Sequence, residues 1–434
     1  MSSLIEPRVL KGFRDFLPAR EIERRLVTET LEKSFRSFGF VPIDTPALEY
    51  TEILLGKGGG ETEKQVYRFT DHGGRDVSLR FDLTVPFARF MAAHRASLPL
   101  PFKRYHIAKV WRGENTQRGR YREFTQCDFD IVGSDSAAAD FEILVMMRES
   151  LIAIGAGAVS IRMNHRGLFN RFLTTLGVFD KSVEILRTVD KLAKIGSEET
   201  LSLLAELVGT DAAGKILDFI RPRASWGETL EAMKEAAGGP AEDSERLETL
   251  RRYMEDAGIA DVFTLDPSIT RGLDYYTGLV YETFLDALPA IGSVCSGGRY
   301  DNLANLYTKE KLSGIGSSIG LDRLLAALEE LGMSTDRAGF APLAIACMDS
   351  SCMGRYQKLA GLFRARGIPC AVLSEEAKPV AQYTLAEKMG AAYVLLAEKA
   401  DLDEGRYTIR KLASRQNSEK LGIEDIIKLI ESQT

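Results

Sequence analysis

About a hundred consecutive residues with helical patterning interrupt a chain whose flanking segments are patterned as strands. Within 166–260, segments such as LFNRFLTTLG and ERLETLRRYMEDAG place apolar residues at helical spacing. Strand-like runs precede this region between 66 and 133 and resume at 262–266. The order predicts a β-rich core that is interrupted by a separate helical module.

The strand-like region before the interruption predicts an antiparallel sheet. Turn residues separate four runs, which are VYRFT, VSLRFDLT, RYHIAKVWRG and YREFTQCDFDIVG. Apolar spacing predicts helices over 19–39 and 137–153. Between the first helix and the sheet, FVPIDTPALE carries two prolines, which favours an edge strand or an extended segment.

A third unit begins after Gly339. Its segments alternate in the order β-α-β-α-β-β-α, which predicts a small α/β layer of about 95 residues. The predicted division of the chain is 1–165, 166–260, 261–335 and 340–434.

Composition excludes several classes of protein and of site. A net charge of −6 over 434 residues gives no overall attraction for nucleic acid, although a local basic patch would suffice. The five cysteines form no CxxC pair and the chain has four histidines, so we do not expect a zinc site. We expect the cysteines to be free thiols in a reducing compartment. With no signal-peptide core and no apolar window of 18 residues, we expect a cytoplasmic protein without a membrane partner.

Two segments are rich in side chains that could bind a charged or polar ligand. Residues 103–122 contain seven basic residues and one acid around a predicted hairpin loop, GENTQRG. Arginines there would suit a polyanion, and a solvated basic hairpin is the alternative. RGLDYYTG at 271–278 would present one cation and two tyrosine ring tips to a small ligand, or form an ordinary strand with half-buried tyrosines.

The glycine clusters CSGGRYDNL and SGIGSSIGLDRL do not form a dinucleotide fingerprint, because GIGSSIG has the wrong spacing and no strand-loop-helix unit surrounds it. A glycine-rich strand that runs into a helix with Arg323 would allow a backbone to approach a nucleotide closely. The chain also lacks a GxxxxGK[ST] loop and a GxSxG elbow.

The motifs together resemble the histidyl-tRNA synthetases. KGFRDFLP, LRFDLTVPFARF, VWRGENTQRGRYREFTQCDFDIVG, RGLDYYTG, SGGRYDNL and GIGSSIGLDRL occur in that family's order, and the resemblance spans essentially the whole chain. It implies an α+β fold: a class II synthetase core with an antiparallel β-sheet flanked by helices, an all-helical insertion, and a C-terminal α/β anticodon-binding domain. The LRFDLTVPFARF form is more similar to the eukaryotic and archaeal branch than to the usual bacterial one.

The resemblance implies that the chain activates L-histidine with ATP as histidyl adenylate and transfers it to the 3′ end of tRNA-His. By similarity, Asp82 and Thr84 hold the α-ammonium group, and Gln126 and Asp130 add hydrogen bonds to the amino acid. An ammonium group has three donors and no acceptor, so carboxylates and neutral oxygens suit it. The ring pocket is implied to be lined by Tyr275 and Tyr276.

For ATP, the resemblance implies two catalytic arginines, Arg112 and Arg271, on the α-phosphate, where they also contact histidine. Fixed cations stabilise the charge that develops as the carboxylate attacks phosphorus. The remaining ATP-binding residues implied by similarity are Glu114, Phe124 and Arg323. Mg²⁺ is expected to accompany ATP, with no metal directly coordinated by the protein.

Three side chains of the hairpin loop, Gln117, Arg118 and Arg120, are implied to meet the tRNA acceptor end. Pro46 matches the family's motif 1 proline and implies a homodimer. The C-terminal unit would bind the anticodon, although its 392–404 stretch departs from the family's acidic-loop pattern.

Two other hypotheses remain. A non-catalytic paralogue that senses histidine and regulates ATP phosphoribosyltransferase would keep the core fold but typically lacks the arginine of RGLDYYTG and the C-terminal domain. A class II synthetase for another amino acid would not be expected to carry the tyrosine pair together with SGGRYDNL.

Overall fold

The structure, a computed structural model, describes residues 4–56, 62–270, 275–335 and 337–432. The chain divides into two compact units. The first contains residues 27–334 and the N-terminal segment up to Arg14, and the second contains 335–434 and residues 15–26. In the described part of the chain, no helix combines the length and the apolar character needed to cross a membrane.

The helices up to the end of the first unit are α1 (Pro18–Ser37), α2 (Thr51–Leu55), α3 (Thr84–His94), α4 (Ala137–Ala153), α5 (Arg166–Thr175), α6 (Ser182–Val189), α7 (Leu192–Val208), α8 (Thr210–Phe219), α9 (Trp226–Ala236), α10 (Glu242–Asp256) and α11 (Leu321–Glu330). Its strands are β1 (Val41–Pro42), β2 (Leu48–Tyr50), β3 (Arg68–Thr70), β4 (Asp76–Leu79), β5 (Phe102–Trp111), β6 (Glu123–Val132), β7 (Val159–His165), β8 (Phe263–Leu265), β9 (Leu279–Leu285), β10 (Cys295–Tyr300) and β11 (Gly314–Gly320).

An eight-stranded sheet forms the centre of the first unit, in the order β1-β5-β6-β11-β10-β9-β7-β8. Its inner pairs are antiparallel, and the two outermost pairs, β1 with β5 and β7 with β8, are parallel. Strand β4 pairs with β2 on one side and with β3 on the other in a separate sheet, so the prediction of one sheet over 66–133 is wrong in this respect. Helix α3 intervenes between β4 and β5, and β4 therefore pairs with its other neighbours in the chain.

Strand β6 shows how the sheet positions the site. Side chains alternate between the two faces of a strand, and Cys127, Phe129 and Ile131 point into the main apolar core together with α4. The intervening residues Gln126 and Asp130 therefore face the other side. A second apolar cluster, built around α3, covers part of that side, and a polar cavity occupies the rest.

Helices α5–α10 form the interruption that the sequence predicts. They leave the sheet after β7 and return at β8, and these two strands are paired side by side with Ile161 opposite Phe263. The helices bury apolar stripes in a core that is continuous with the sheet, and the Phe172 and Phe219 rings stack there with centroids 4.1 Å apart.

The second unit has its own sheet, in the order β13-β12-β14-β15-β16. Its elements are β12 (Leu343–Ile345), α12 (Met353–Ala365), β13 (Cys370–Val372), α13 (Pro379–Lys388), β14 (Tyr393–Leu396), α14 (Lys399–Glu404), β15 (Thr408–Lys411), β16 (Gln416–Asn417) and α15 (Ile423–Glu431). Helix α14, which the sequence analysis missed, is a short turn ended by Gly405 in a left-handed conformation. The second unit has an apolar core of its own, formed by Ile345, Phe363, Ile426 and their neighbours.

Candidate active site

A cavity of about 350 Å³ lies on the polar face of the central sheet. It is lined by β6, β9, β10 and β11, by the loop after β4, by the segment before β9 and by the first turn of α11. The predicted site residues that line it are Asp82, Thr84, Arg112, Glu114, Arg120, Phe124, Gln126, Asp130, Tyr275, Tyr276 and Arg323. Gln117 and Arg118 are not among the residues lining it, and Arg271 lies outside the described residues.

Asp82 is a buried carboxylate at the start of α3. Its Oδ1 accepts a hydrogen bond from the backbone N–H of Val85 at 3.1 Å, and the Tyr275 hydroxyl donates to its Oδ2 at 3.4 Å. Burial raises the pKa of Asp82 to about 6, although the Val85 N–H and the Arg112 charge oppose that shift. An oriented carboxylate beside the Thr84 hydroxyl suits a cationic amine.

Asp130 is a second buried carboxylate on the wall of the cavity. The Tyr300 hydroxyl donates to its Oδ1, and Arg104 forms an ion pair with its Oδ2 at 2.7 Å. Burial raises the pKa of Asp130, whereas the charge of Arg104 lowers it. Arg104 is itself buried, with its guanidinium carbon 4.1 Å from the centroid of the Phe87 ring.

Two glycines of β11 make room for these groups. Gly316 lies opposite Asp130, and a Cβ atom at residue 316 would stand 1.9 Å from Asp130 Oδ1. A Cβ at Gly314 would stand 2.4 Å from the Tyr300 ring. At these two glycines the space is taken by neighbouring protein side chains, and the close approach of a nucleotide to this strand stays a prediction.

Replacing Gly316 by alanine should displace Asp130 and destabilise the folded chain. The conflict is with a carboxylate that Arg104 and Tyr300 hold in place, so the new methyl group cannot be accommodated cheaply. We expect a loss of about 1–3 kcal/mol of stability, measured by denaturant unfolding. The matched control is Gly227→Ala in α9, where no atom lies within 4 Å of the added methyl, and this variant should be at least as stable as the parent.

Two arginines line the same cavity. Arg112, which follows β5, donates from Nε to the Phe81 carbonyl at 2.9 Å, and its guanidinium carbon lies 5.1 Å from the Phe124 ring centroid. Arg323, in the first turn of α11, donates from Nη1 to the Ser293 carbonyl at 2.5 Å. Backbone anchors of this kind fix each guanidinium group, and two fixed guanidinium groups suit a polyphosphate.

The KGFRDFLP segment packs against the base of the 112–122 loop. The Gly12 carbonyl accepts from the Arg122 N–H at 2.9 Å, and Arg14 lies 3.5 Å from the Tyr121 ring centroid. Arg14 also forms an ion pair with Asp322, whose Oδ2 accepts from the Thr125 N–H at 2.6 Å. The N-terminal segment therefore braces both the loop and the start of α11.

Several residues of the cavity were missed by sequence reasoning. They are Tyr121, Glu282, Tyr300, Ser317, Ser318 and Asp322. Tyr300 had a signal, since it lies within the SGGRYDNL motif. Ser317 and Ser318 likewise lie within GIGSSIGLDRL, but that motif does not show which residue they meet. Gln126 Nε2 donates to Ser318 Oγ at 2.9 Å through a strand register that brings together residues 192 positions apart.

The arginine of SGGRYDNL, Arg299, does not line the cavity. It is buried, and its Nε donates to Asp140 of α4 at 3.0 Å. The Arg299 carbonyl accepts from the Thr277 N–H at 2.8 Å. The backbone at residue 299 therefore supports the segment that carries Tyr275 and Tyr276, and the Arg299 side chain bonds to α4 instead.

No metal cluster is found within the described ranges, where no three histidine, cysteine or acidic side chains are grouped to hold an ion. All five cysteines lie in the described part of the chain, and each is a buried free thiol.

The core sheet, the cavity on its face and the separate α/β unit together define a class II synthetase fold. Sequence models identify two regions: residues 12–324 match "Histidyl-tRNA synthetase" and residues 342–433 match "Anticodon binding domain". The chain belongs to the histidyl-tRNA synthetase family.

Proteins with similar sequences and structures support this family assignment. A histidine–tRNA ligase of Treponema denticola is 55% identical over 405 residues, covering 92% of this chain and 90% of the relative. One from Treponema pallidum is 50% identical and covers 96% of both chains. The crystal structure of histidyl-tRNA synthetase from Nostoc sp. has a TM-score of 0.87 at 29% identity, and covers 99% of this chain and 100% of its own.

The expected kinship with the eukaryotic and archaeal branch is not supported, because these relatives are bacterial. An ATP phosphoribosyltransferase regulatory subunit/histidyl-tRNA synthetase from Bacillus halodurans has a TM-score of 0.75 at 20% identity, covering 91% of this chain and 99% of its own. At that identity the likeness shows the fold alone.

Proposed function

We propose that this chain is a histidine–tRNA ligase. It joins L-histidine to ATP, giving histidyl adenylate and pyrophosphate, and then transfers histidine to the 3′ end of tRNA-His. The observation that carries the proposal is a single cavity in which the buried carboxylates of Asp82 and Asp130 are combined with the anchored guanidinium groups of Arg112 and Arg323.

In this proposal the carboxylates bind the amino acid. Asp82 and Thr84 accept hydrogen bonds from the α-ammonium group, supported by the position of Asp82 at the start of α3. Gln126 and Asp130 bind the polar groups of histidine, and Tyr275 with Tyr276 lines the ring pocket. Groups that match every donor and acceptor of a polar ring reject apolar mimics, because unpaired buried groups cost about 1–3 kcal/mol each.

The arginines act on the nucleotide. As the histidine carboxylate oxygen attacks the α-phosphorus and the bond to the pyrophosphate oxygen breaks, Arg112 stabilises the charge on the phosphoryl oxygens. Phe124 stacks on the adenine ring, Glu114 binds its edge, and Arg323 contacts the nucleotide from α11. Arg271 is proposed as a second cation on the α-phosphate by similarity alone. Since the attacking group is the substrate's own carboxylate, the step needs placement rather than a protein base.

Mg²⁺ is proposed to enter with ATP on the β- and γ-phosphates, where it would neutralise phosphate charge. The donor set fits this role, because Mg²⁺ bound to a nucleotide needs only one or two carboxylates and otherwise keeps its waters. Glu282 of β9 is a carboxylate of the cavity lining that would serve.

The test is ATP–pyrophosphate exchange measured with histidine and with the other nineteen amino acids as controls. Exchange with histidine alone is the expected result. Histidine binding without exchange would instead favour the regulatory paralogue, and exchange with another amino acid would favour a different class II synthetase.

The tRNA contacts are proposed at two places. The region matched to an anticodon-binding domain would bind the anticodon, where unstacked bases expose their edges. Gln117, Arg118 and Arg120 would meet the acceptor end, and Arg118 is exposed on the 112–122 loop with a surface ion pair to Glu330 at 2.8 Å. An altered anticodon in tRNA-His should then raise its KM for charging while leaving exchange unchanged.

We also propose that the protein is a homodimer, because Pro46 matches the motif 1 proline of the family. This residue follows β1, the strand at one end of the central sheet, where Val41 is exposed. A particle with the mass of one chain in solution would contradict the dimer.

We further propose that 1–165, 166–260, 261–335 and 340–434 are the functional divisions of the chain.

A further inference from the structure

We propose that Arg104 is a positioning residue for histidine recognition, which holds Asp130 as a carboxylate in one orientation so that it accepts a hydrogen bond from the substrate ring. The inference rests on the proposed function of the cavity. Arg104 does not line the cavity, and its ion pair is with the lining residue Asp130. Its charge also opposes the rise in the pKa of Asp82 and of Asp128 that burial causes.

The sheet places the two residues in direct opposition. Arg104 on β5 is the cross-strand partner of Asp130 on β6, and Gly316 flanks Asp130 on the other side. The ion pair joins Arg104 Nη2 and Asp130 Oδ2 at 2.7 Å. Because Tyr300 donates to the other carboxylate oxygen and Gly316 leaves no space beside it, the carboxylate has one available orientation.

Arg104 has an unusual environment for an arginine, because it is buried against an aromatic ring. Its side chain is fully buried, and its guanidinium group rests on the Phe87 ring. A buried guanidinium group carries a large desolvation cost, and replacing a buried ion pair by apolar residues is often neutral or stabilising. Fold stability therefore gives a weak reason for this pair, whereas control of the Asp130 carboxylate gives a specific one.

The groups that face Asp130 set its proton affinity. They are Arg104 from β5, Asp128 from β6, Tyr300 from β10 and Tyr276 from the segment before β9. The charge of Arg104 also acts on His106, and the charge of Asp82 acts on Asp128. Burial lowers the pKa of His106 to about 4, so this side chain is not a dependable cation at neutral pH. Burial raises the pKa of Asp128 to about 7, and this carboxyl group is either neutral or negative. Arg104 is the cation that opposes the burial of Asp130.

The hydrogen-bonding groups of the histidine ring explain why a negative charge on Asp130 would be useful. A neutral imidazole carries one N–H donor and one acceptor nitrogen, and an ionised carboxylate is an acceptor only. A protonated Asp130 would carry an O–H donor and would accept from the ring N–H only with an uncharged, weaker acceptor oxygen.

The experiment is the pH profile of the histidine KM in exchange assays of the full-length protein, comparing Arg104→Met with the parent chain. Without Arg104 the pKa of Asp130 rises, so the ratio of variant to parent KM should be highest near pH 6 and fall as the pH rises. Near pH 7 we expect a ratio of about tenfold or more for histidine and less than about twofold for ATP. Using the ratio cancels the titration of free histidine.

Arg299→Met is the matched control. It removes an equally buried arginine from a carboxylate, Asp140, that does not line the cavity. It should lower the melting temperature without making the histidine KM ratio depend on pH. Arg104→Lys should recover part of the affinity.

If Arg104→Met does not fold, Tyr300→Phe tests the same point by removing the other donor to Asp130, and it should give a pH trend in the same direction. A KM ratio that is constant with pH in the folded variants, or an equal rise in both KM values, would overturn the inference. Absence of histidine-dependent exchange in the parent chain would instead overturn the proposed function.

Discussion

Replacing Arg112 by alanine should slow histidine-dependent ATP–pyrophosphate exchange by about a thousandfold, an effect of the size found when a fixed donor to a transition-state anion is removed. Arg112 is held by the Phe81 carbonyl and by the Phe124 ring, so its charge is already in place before the phosphoryl oxygens become more negative. The loss should fall mainly on kcat, because the interaction strengthens as the reaction proceeds.

The matched control for this prediction is Arg68→Ala. Arg68 is an exposed arginine of the three-stranded sheet that pairs with Asp76, and exposed pairs of this kind contribute little. Exchange by this variant should equal that of the parent chain. A fall of less than about tenfold for Arg112→Ala, with an unchanged melting temperature, would remove Arg112 from the transition state.

Local patterns in the sequence predicted most of the elements. Helix α4 was predicted at its observed bounds, and α1 within two residues of them, because their apolar spacing is long and regular. Strands β5 and β6 were recognised for the same reason. The strand predicted over 275–285 begins only at Leu279, since the segment before it binds through Thr277 to the Arg299 carbonyl instead of joining the sheet.

What the sequence could not provide is the register between distant strands. The sequence motifs contain Asp130, but nothing in them shows that Arg104 and Gly316 stand on either side of it. Similarly, KGFRDFLP was recognisable as a motif, whereas the contact of Arg14 with Asp322 depends on folding across 308 positions. Sequence patterns reveal which residues are chemically notable, and the pairing of strands decides which of them meet.

The cavity contains buried carboxylates, which destabilise the folded chain, and neighbouring groups that reduce the free-energy cost of burying them. Asp82 and Asp130 are buried carboxylates whose pKa values are raised by desolvation. The Val85 N–H, the Tyr300 hydroxyl and the Arg104 charge compensate part of that cost. Such an arrangement is expected where a cationic substrate completes the charge balance. Removing a carboxylate from the site should therefore weaken substrate binding and stabilise the folded chain.

Asp82→Asn should raise the histidine KM by about a hundredfold near pH 8, because an amide cannot replace a carboxylate opposite an ammonium group. The ratio of parent to variant kcat/KM should fall as the pH drops below about 6, where Asp82 of the parent chain becomes protonated. Free histidine titrates in the same range, but its effect is common to both proteins and cancels in the ratio.

The same substitution should raise the melting temperature at neutral pH. The pKa of Asp82 in the folded state, about 6, exceeds the usual value near 4, so the folded chain binds this proton more tightly than the unfolded chain. The parent chain therefore loses stability as the pH rises from about 4 to about 6, and the loss persists above that range. Asparagine keeps an oxygen for the Val85 N–H and carries no charge, so the gain in melting temperature should be larger near pH 8 than near pH 4.5.

Asp76→Asn is the control for both measurements, since Asp76 is an exposed carboxylate that pairs with Arg68 and does not line the cavity. It should leave the histidine KM unchanged and should not raise the melting temperature. A histidine KM in Asp82→Asn within about twofold of the parent value would remove Asp82 from the ammonium site. A raised KM with a lowered melting temperature at every pH would mean that the carboxylate supports the start of α3 instead.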